Sequence, residues 1–242
     1  MLEKAINRIL ELAAPNVQII NDQNYSDKKL IRIENELRAE PIRMNTLSSL
    51  VQYIKYMGED RKSGKYLLHV TSPTEVRLVS ALDDDREREV IAIVNAELPT
   101  FPFNSKVPHE DFLIGVQSTF VDDPNTDKAL VLKFAGTVKA GTVTDYNDDG
   151  ISQKATVKVG VASLSEAVVP SPCNLKPYRT FTEVDQPASS FIFRMSEEGR
   201  DGMICCALYE ADGGAWKKDA KQNVVDYLRH ELTEESGILI VS

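Results

Sequence analysis

The sequence predicts an α+β protein: antiparallel sheets, built of meanders and hairpins, packed against three or four amphipathic helices. Three observations lead there. Short segments alternate apolar and polar residues with period two, the spacing of a half-buried strand. Other segments repeat apolar residues at intervals of three and four, the spacing of a helix face. The strand patterns follow one another with only turn signals between them, which favours antiparallel pairing over helical crossovers. Of the 242 residues, 42% are hydrophobic and 27% charged, which excludes a disordered chain. A single domain over 1–242 is expected, with seams at 99–107 and 168–176 only.

The elements are read in order. Ile6, Ile9, Leu10 and Ala13 share one face of a helix over 3–13, which Pro15 stops. Val17 to Ile20 is a short strand, and 21–29 a polar loop. Residues 30–33 fit a weak strand, or else the start of a helix through Leu37. Asn45 and Thr46 cap a helix over 47–57 with Leu47, Leu50, Val51 and Ile54 as its stripe. Segments 66–70, 75–81 and 89–95 form a three-stranded meander, turned at Ser72-Pro73 and at the solvated run Asp83-Asp84-Asp85. Pro108 and His109 open a helix to Val121, with Phe112, Leu113, Val116 and Phe120 on one face. Gly115 in that helix marks a close backbone approach. Alternation over 129–138 predicts a strand. A hairpin follows, its strands meeting at Asn147-Asp148-Asp149-Gly150. Tyr178, Thr180, Thr182 and Val184 alternate with Arg179, Phe181 and Glu183, which predicts a strand between Pro177 and Pro187. Two more strands follow at 190–195 and 203–209. Residues 219–231 form a helix, and Ile238 to Val241 a last strand that docks on its own sheet or on a neighbouring subunit. Together the predicted meanders cover 66–95 and 129–209.

The most distinctive stretch is 170–216. Two arginines, Arg179 and Arg194, sit in its strand patterns among aromatics. A guanidinium in such a place calls for a carboxylate or phosphate. The ordinary reading is an ion pair with Glu183, Asp185 or Glu210. The sharper one is a binding surface for an anionic ligand or a partner's acidic side chain, made by Arg179, Arg194, Tyr178, Glu183 and Trp216. The segment Pro-Tyr-Arg-Thr-Phe-Thr-Glu-Val-Asp-Gln-Pro at 177–187, Phe191-Ile192-Phe193-Arg194, and Glu-Ala-Asp-Gly-Gly-Ala-Trp at 210–216 together resemble the YfdQ-like family of phage and prophage proteins of unknown function. Similar signposts stand at Gly115 to Phe120 and Asp148 to Gln153. The resemblance spans 40–232, with 177–216 its specific part. It implies a viral or prophage origin and a bacterial cytoplasm, and supplies no catalytic residues.

No motif in the chain calls for a cofactor. Phosphate-cradling glycine loops, a His-Glu-x-x-His metal motif and a Gly-x-Ser-x-Gly elbow are all absent from the sequence. The three histidines, His69, His109 and His230, stand far apart, and neither they nor any other residues are assigned as metal ligands. Cys173, Cys205 and Cys206 are an odd count with two adjacent, which suits reduced thiols. Carboxylates offer the one enzyme reading: Asp122, Asp148, Glu183 and Asp212 converging on a divalent ion as a nuclease or other hydrolase. A net charge of −9 disfavours broad nucleic-acid binding. No apolar run approaches the roughly 20 residues of a membrane-spanning helix, so no membrane partner is expected. The expectation is therefore a cytoplasmic, self-associating phage accessory protein that binds a host or phage protein or an anionic ligand. It would serve phage DNA metabolism or antagonise host defence. A ring, filament or shell protein is the third reading, since homo-oligomers are common.

Overall fold

The computed structural model describes residues 2–20, 23–27, 39–56, 65–83, 86–140, 142–148, 153–159, 163–168, 171–198, 203–233 and 237–242. The chain divides into two compact units, 1–39 and 40–242. Both seams expected from the sequence, 99–107 and 168–176, lie inside the second.

The first unit holds helix α1 (Leu2–Ala13) and an antiparallel hairpin of β1 (Val17–Ile20) and β2 (Gln23–Ser26). The expected polar loop over 21–29 is thus partly a strand. The Asn16 backbone N–H donates to Asp27 Oδ1 at 2.7 Å, which closes the hairpin's open end and pulls the polar segment into register. The ambiguous 30–37 segment lies outside the described residues.

The second unit begins with β3 (Ile42–Met44), α2 (Leu47–Tyr56), β4 (Tyr66–Ser72), β5 (Glu75–Val79) and β6 (Val90–Asn95). Then come β7 (Val107–Pro108), α3 (His109–Thr119), α4 (Lys128–Ala140), β8 (Thr142–Asp148), β9 (Gln153–Val159) and β10 (Ser163–Val168). It ends with β11 (Cys173–Leu175), β12 (Ser189–Glu198), β13 (Met203–Glu210), α5 (Trp216–Glu231) and β14 (Ile238–Val241). The α+β class therefore holds.

The predicted meander β4-β5-β6 is present and antiparallel, and two parallel edge strands extend it. β14 pairs with β4 and β3 with β6, giving the order β14-β4-β5-β6-β3. The last strand docks on its own sheet. The second predicted meander resolves into two sheets: β10-β9-β8, which contains the predicted hairpin, and β11-β12-β13-β7. The turn residues Asp149 and Gly150 lie outside the described ones.

Two predicted strands are corrected. Residues 128–140 form helix α4: Val131, Phe134 and Ala135 are buried at spacings of three and one, a helical pattern, while Leu130 is exposed. An apolar run carries both periods, and packing selects the helical one. Residues 178–184 form a stapled loop, described below.

Two cores result. One lies between α3, α4 and the β11-β12-β13-β7 sheet, and gathers seven of the eight phenylalanines. The other lies between α2, α5 and the five-stranded sheet, and takes the eighth, Phe181. Gly115 serves the close approach read from the sequence: an added Cβ would stand 3.0 Å from the Phe101 ring. Two buried polar side chains join elements of the first core. Lys128 Nζ donates to the Gln117 and Phe120 carbonyls at 3.2 and 2.7 Å, neutralising the C-terminal end of α3, and pairs with Asp122 at 2.7 Å. His109 Nε2 lies 2.8 Å from the Ala135 carbonyl of α4.

Candidate functional site: the arginine box

The loop from Pro177 to Pro187 is built around Gln186, which is buried. Its Oε1 accepts the backbone N–H groups of Arg179 and Thr180 at 2.9 and 3.1 Å. Its Nε2 donates to the Phe181 carbonyl at 2.9 Å, with longer contacts to those of Val184 and Thr180. One side-chain amide thus satisfies the backbone that a strand partner would have served. The loop can then turn consecutive side chains inward, and Arg179, Thr180 and Phe181 are all buried. Phe181 enters the second core, whereas Arg179 reaches back to the rings of the first. Thr180 Oγ1 donates to the Pro73 carbonyl at 2.5 Å, which holds the loop to the turn between β4 and β5.

Arg179 is 7% exposed. Its guanidinium carbon lies 4.2 Å from the Phe103 ring centre, 4.8 Å from that of Trp216 and 4.9 Å from that of Phe191. Phe103 and Phe191 stack at 5.4 Å. Nη1 stands 2.9 Å from Glu210 Oε1, so of the three candidate partners Glu210 is the one used. The contact is short, but neither Nη1 nor Nη2 meets an acceptor at good hydrogen-bond geometry. Burial pulls the Arg179 pKa down, while Glu210 and Asp212 push it back up. A guanidinium stays charged through such a shift.

Glu210 is set by Asn104, which has a positive φ of 60°. Asn104 Oδ1 accepts the Glu210 N–H at 2.9 Å, and Asn104 N donates to the Leu208 carbonyl at 2.9 Å. Asp212 opens the turn into α5. Its Oδ1 accepts the Gly214 N–H at 2.9 Å, and Gly213 and Gly214 adopt φ of 63° and 81°, which the turn requires. Burial pushes the Asp212 carboxyl up, but the backbone N–H groups of Gly214 and Trp216, the Ser189 side chain and the Arg179 charge together hold it below the usual range. Ser189 acts on that carboxyl by proximity, since its Oγ makes no hydrogen bond of good geometry. Asp212 Oδ2 and Trp216 Nε1 also lack one.

Of the residues proposed as a binding surface, Arg179 and Trp216 meet in the box. Tyr178 is half-buried beside them in sequence, its N–H donating to the Thr119 carbonyl at 2.9 Å. Glu183 turns the other way, its Oε1 accepting the Ser48 N–H at 3.2 Å in the first turn of α2. Arg194 is separated from Arg179 by the sheet. Phe191, Phe193 and Met195 of β12 point into the core and Arg194 alternates to the other face, where its Nη1 donates to the Phe193 carbonyl. The two arginines therefore do not share a surface. The sequence did not single out Phe103, Gln186, Ser189 and Asn104 as site residues. Only Gln186 carried a signal, lying between Asp185 and Pro187 in the quoted motif.

The carboxylates of the hydrolase reading are committed separately: Asp122 to Lys128, Glu183 to α2 and Asp212 to α5. The Asp148 side chain lies outside the described residues. Among the described residues, no three His, Cys, Asp or Glu side chains are grouped to hold a metal ion. No described helix is long and apolar enough to cross a membrane.

The fold and this box define an α+β protein whose most distinctive segment ties two cores together. Compared with known proteins, the chain matches no family model, no curated protein and no solved structure.

Proposed function

We propose that the chain is a self-associating binding protein, an accessory factor of phage or prophage origin that performs no chemical step. In this reading it works in the bacterial cytoplasm, in phage DNA metabolism or against host defence, by engaging a protein or an anionic ligand. The observation that carries the reading is the inward commitment of the signature segment. Arg179, Glu183, Gln186, Glu210 and Asp212 serve one another and the backbone, which suits a rigid platform better than a reacting centre. Cysteine chemistry has no support either, since burial pushes the Cys173 and Cys206 thiols up to about 12.

The test is incubation of the pure chain with single- and double-stranded DNA and RNA and with Mg²⁺ or Mn²⁺. Intact nucleic acid is expected. Cleavage abolished by Asp122→Asn or Asp212→Asn would sink the reading in favour of the hydrolase.

A further inference from the structure

Helix α1 shows one wide apolar face. Leu2, Ile6, Ile9 and Ala13 follow one another at intervals of four, three and four, the spacing of a seam between paired helices, and Leu10 widens it. All five are exposed: Leu2 at 78%, Ile9 at 65% and Leu10 at 63%. The hairpin of the same unit exposes Val17, Ile19 and Tyr25 as well. A unit of 39 residues is below the size that supports its own core, and such units rely on disulfides, metals or association. It contains no cysteine, all three lying at 173 or beyond.

We infer that the α1 face is the surface through which two copies of this chain associate, a proposal that rests on the self-association in the reading above. Charge favours a second copy as the occupant. The helix carries Glu3 and Glu11 against Lys4 and Arg8, so it is neutral, while the whole chain stands at −9. Two copies repel one another less across α1 than across an average part of their surface. Area sets the scale. Each large apolar side chain removes roughly 60–120 Å² from water when fully covered. The four on α1 then supply roughly 250–500 Å² per copy, the size of a short helix pair and below the roughly 800 Å² per partner of a standard interface.

The experiment is sedimentation velocity on the full chain and on the Ile6→Glu, Ile9→Glu double variant, with a circular-dichroism melt of each. The wild type is expected at a multiple of the single-chain mass. The variant is expected at the single-chain mass with its main melting transition unmoved. An Ile9→Cys chain treated with a short bis-maleimide is expected to form a covalent dimer, against a low background because the native thiols are buried. A monomeric wild type overturns both this surface and the self-association it rests on, and is the result if α1 folds back on its own chain. An assembly that survives the double substitution leaves self-association standing and overturns the assignment to α1.

Discussion

Arg179 and Glu210 form a close pair of imperfect hydrogen-bond geometry: Nη1 and Oε1 are 2.9 Å apart, yet the N–H groups are poorly aligned with the oxygen. The arginine's position is set instead by the three rings of Phe103, Phe191 and Trp216. A desolvated cation–π contact is worth about 2 kcal/mol, more than a half-solvated ion pair. Arg179→Met should therefore destabilise the fold by roughly 2–4 kcal/mol, and Glu210→Gln by about 1 kcal/mol or less. Arg179→Lys should recover less than half of the loss, because a compact ammonium cannot cover three rings. Urea midpoints at constant slope give the ranking. Equal losses for Arg179→Met and Glu210→Gln would show that the ion pair dominates.

Gln186 should matter as much as any core residue. Gln186→Ala removes the acceptor of two buried N–H groups and a donor to the loop's carbonyls. Each buried group left unpaired costs about 1–3 kcal/mol, so a loss of roughly 3 kcal/mol is expected. Gln186→Glu keeps the shape and sets a charged oxygen against the Phe181 carbonyl, so it should be no better at neutral pH. Thermal melts of the two variants test this, and a glutamate variant as stable as wild type would rule out the staple.

These residues also show what the sequence could convey. Helices α2, α3 and α5 and the β4-β5-β6 meander were legible because each buries one face at a constant period. The 177–187 loop imitated that signal. Its aromatic and β-branched residues alternate, but three consecutive side chains are buried, in two different cores, which no strand period describes. Helix α4 was hidden because Leu130, Leu132 and Phe134 also alternate with period two, so the segment fits a strand as well as a helix. The parallel pairing of β14 with β4 joins segments far apart in sequence, so local pattern could not supply it. The box was half visible: Arg179 and Trp216 stood out as residue types, but Phe103 and Asn104 lie in an irregular connector.

The pair of Asp123 and Lys176 should shape the pH dependence of stability at both ends. Their contact is 2.9 Å. The Lys176 ammonium and the Asn125 N–H hold Asp123 below the ordinary carboxylate value of 3.8. Asp123 in turn raises Lys176 above the ordinary 10.5. A carboxyl lowered in the folded state stabilises fully above its unfolded value, and that contribution is lost as pH falls through the folded one. A lysine raised in the folded state stabilises fully below its unfolded value, with loss as pH rises through the folded one. Asp123→Asn should therefore flatten the acid limb below about pH 4 and the alkaline limb above about pH 10.5. A variant whose melting temperature follows the wild-type pH curve at both ends refutes the coupling.

The thiols offer a test of how tightly the first core is closed. Cys173, Cys205 and Cys206 are free and buried. Desolvation drives Cys173 up to about 12 with help from the Asp127 charge, and drives Cys206 to about 12 beside Cys205. The thiolate is the species that attacks a disulfide reagent, so at neutral pH these two groups offer almost none of it. An aromatic disulfide reagent should label no thiol in the native chain and all three in guanidinium. The native rate should follow the opening of the sheet, so Arg179→Met, which loosens the rings beside Phe191, should speed labelling roughly in proportion to the stability it removes. A wild-type Cys173 or Cys206 that reacts within the mixing time would mean that the β11-β12-β13 core opens without global unfolding.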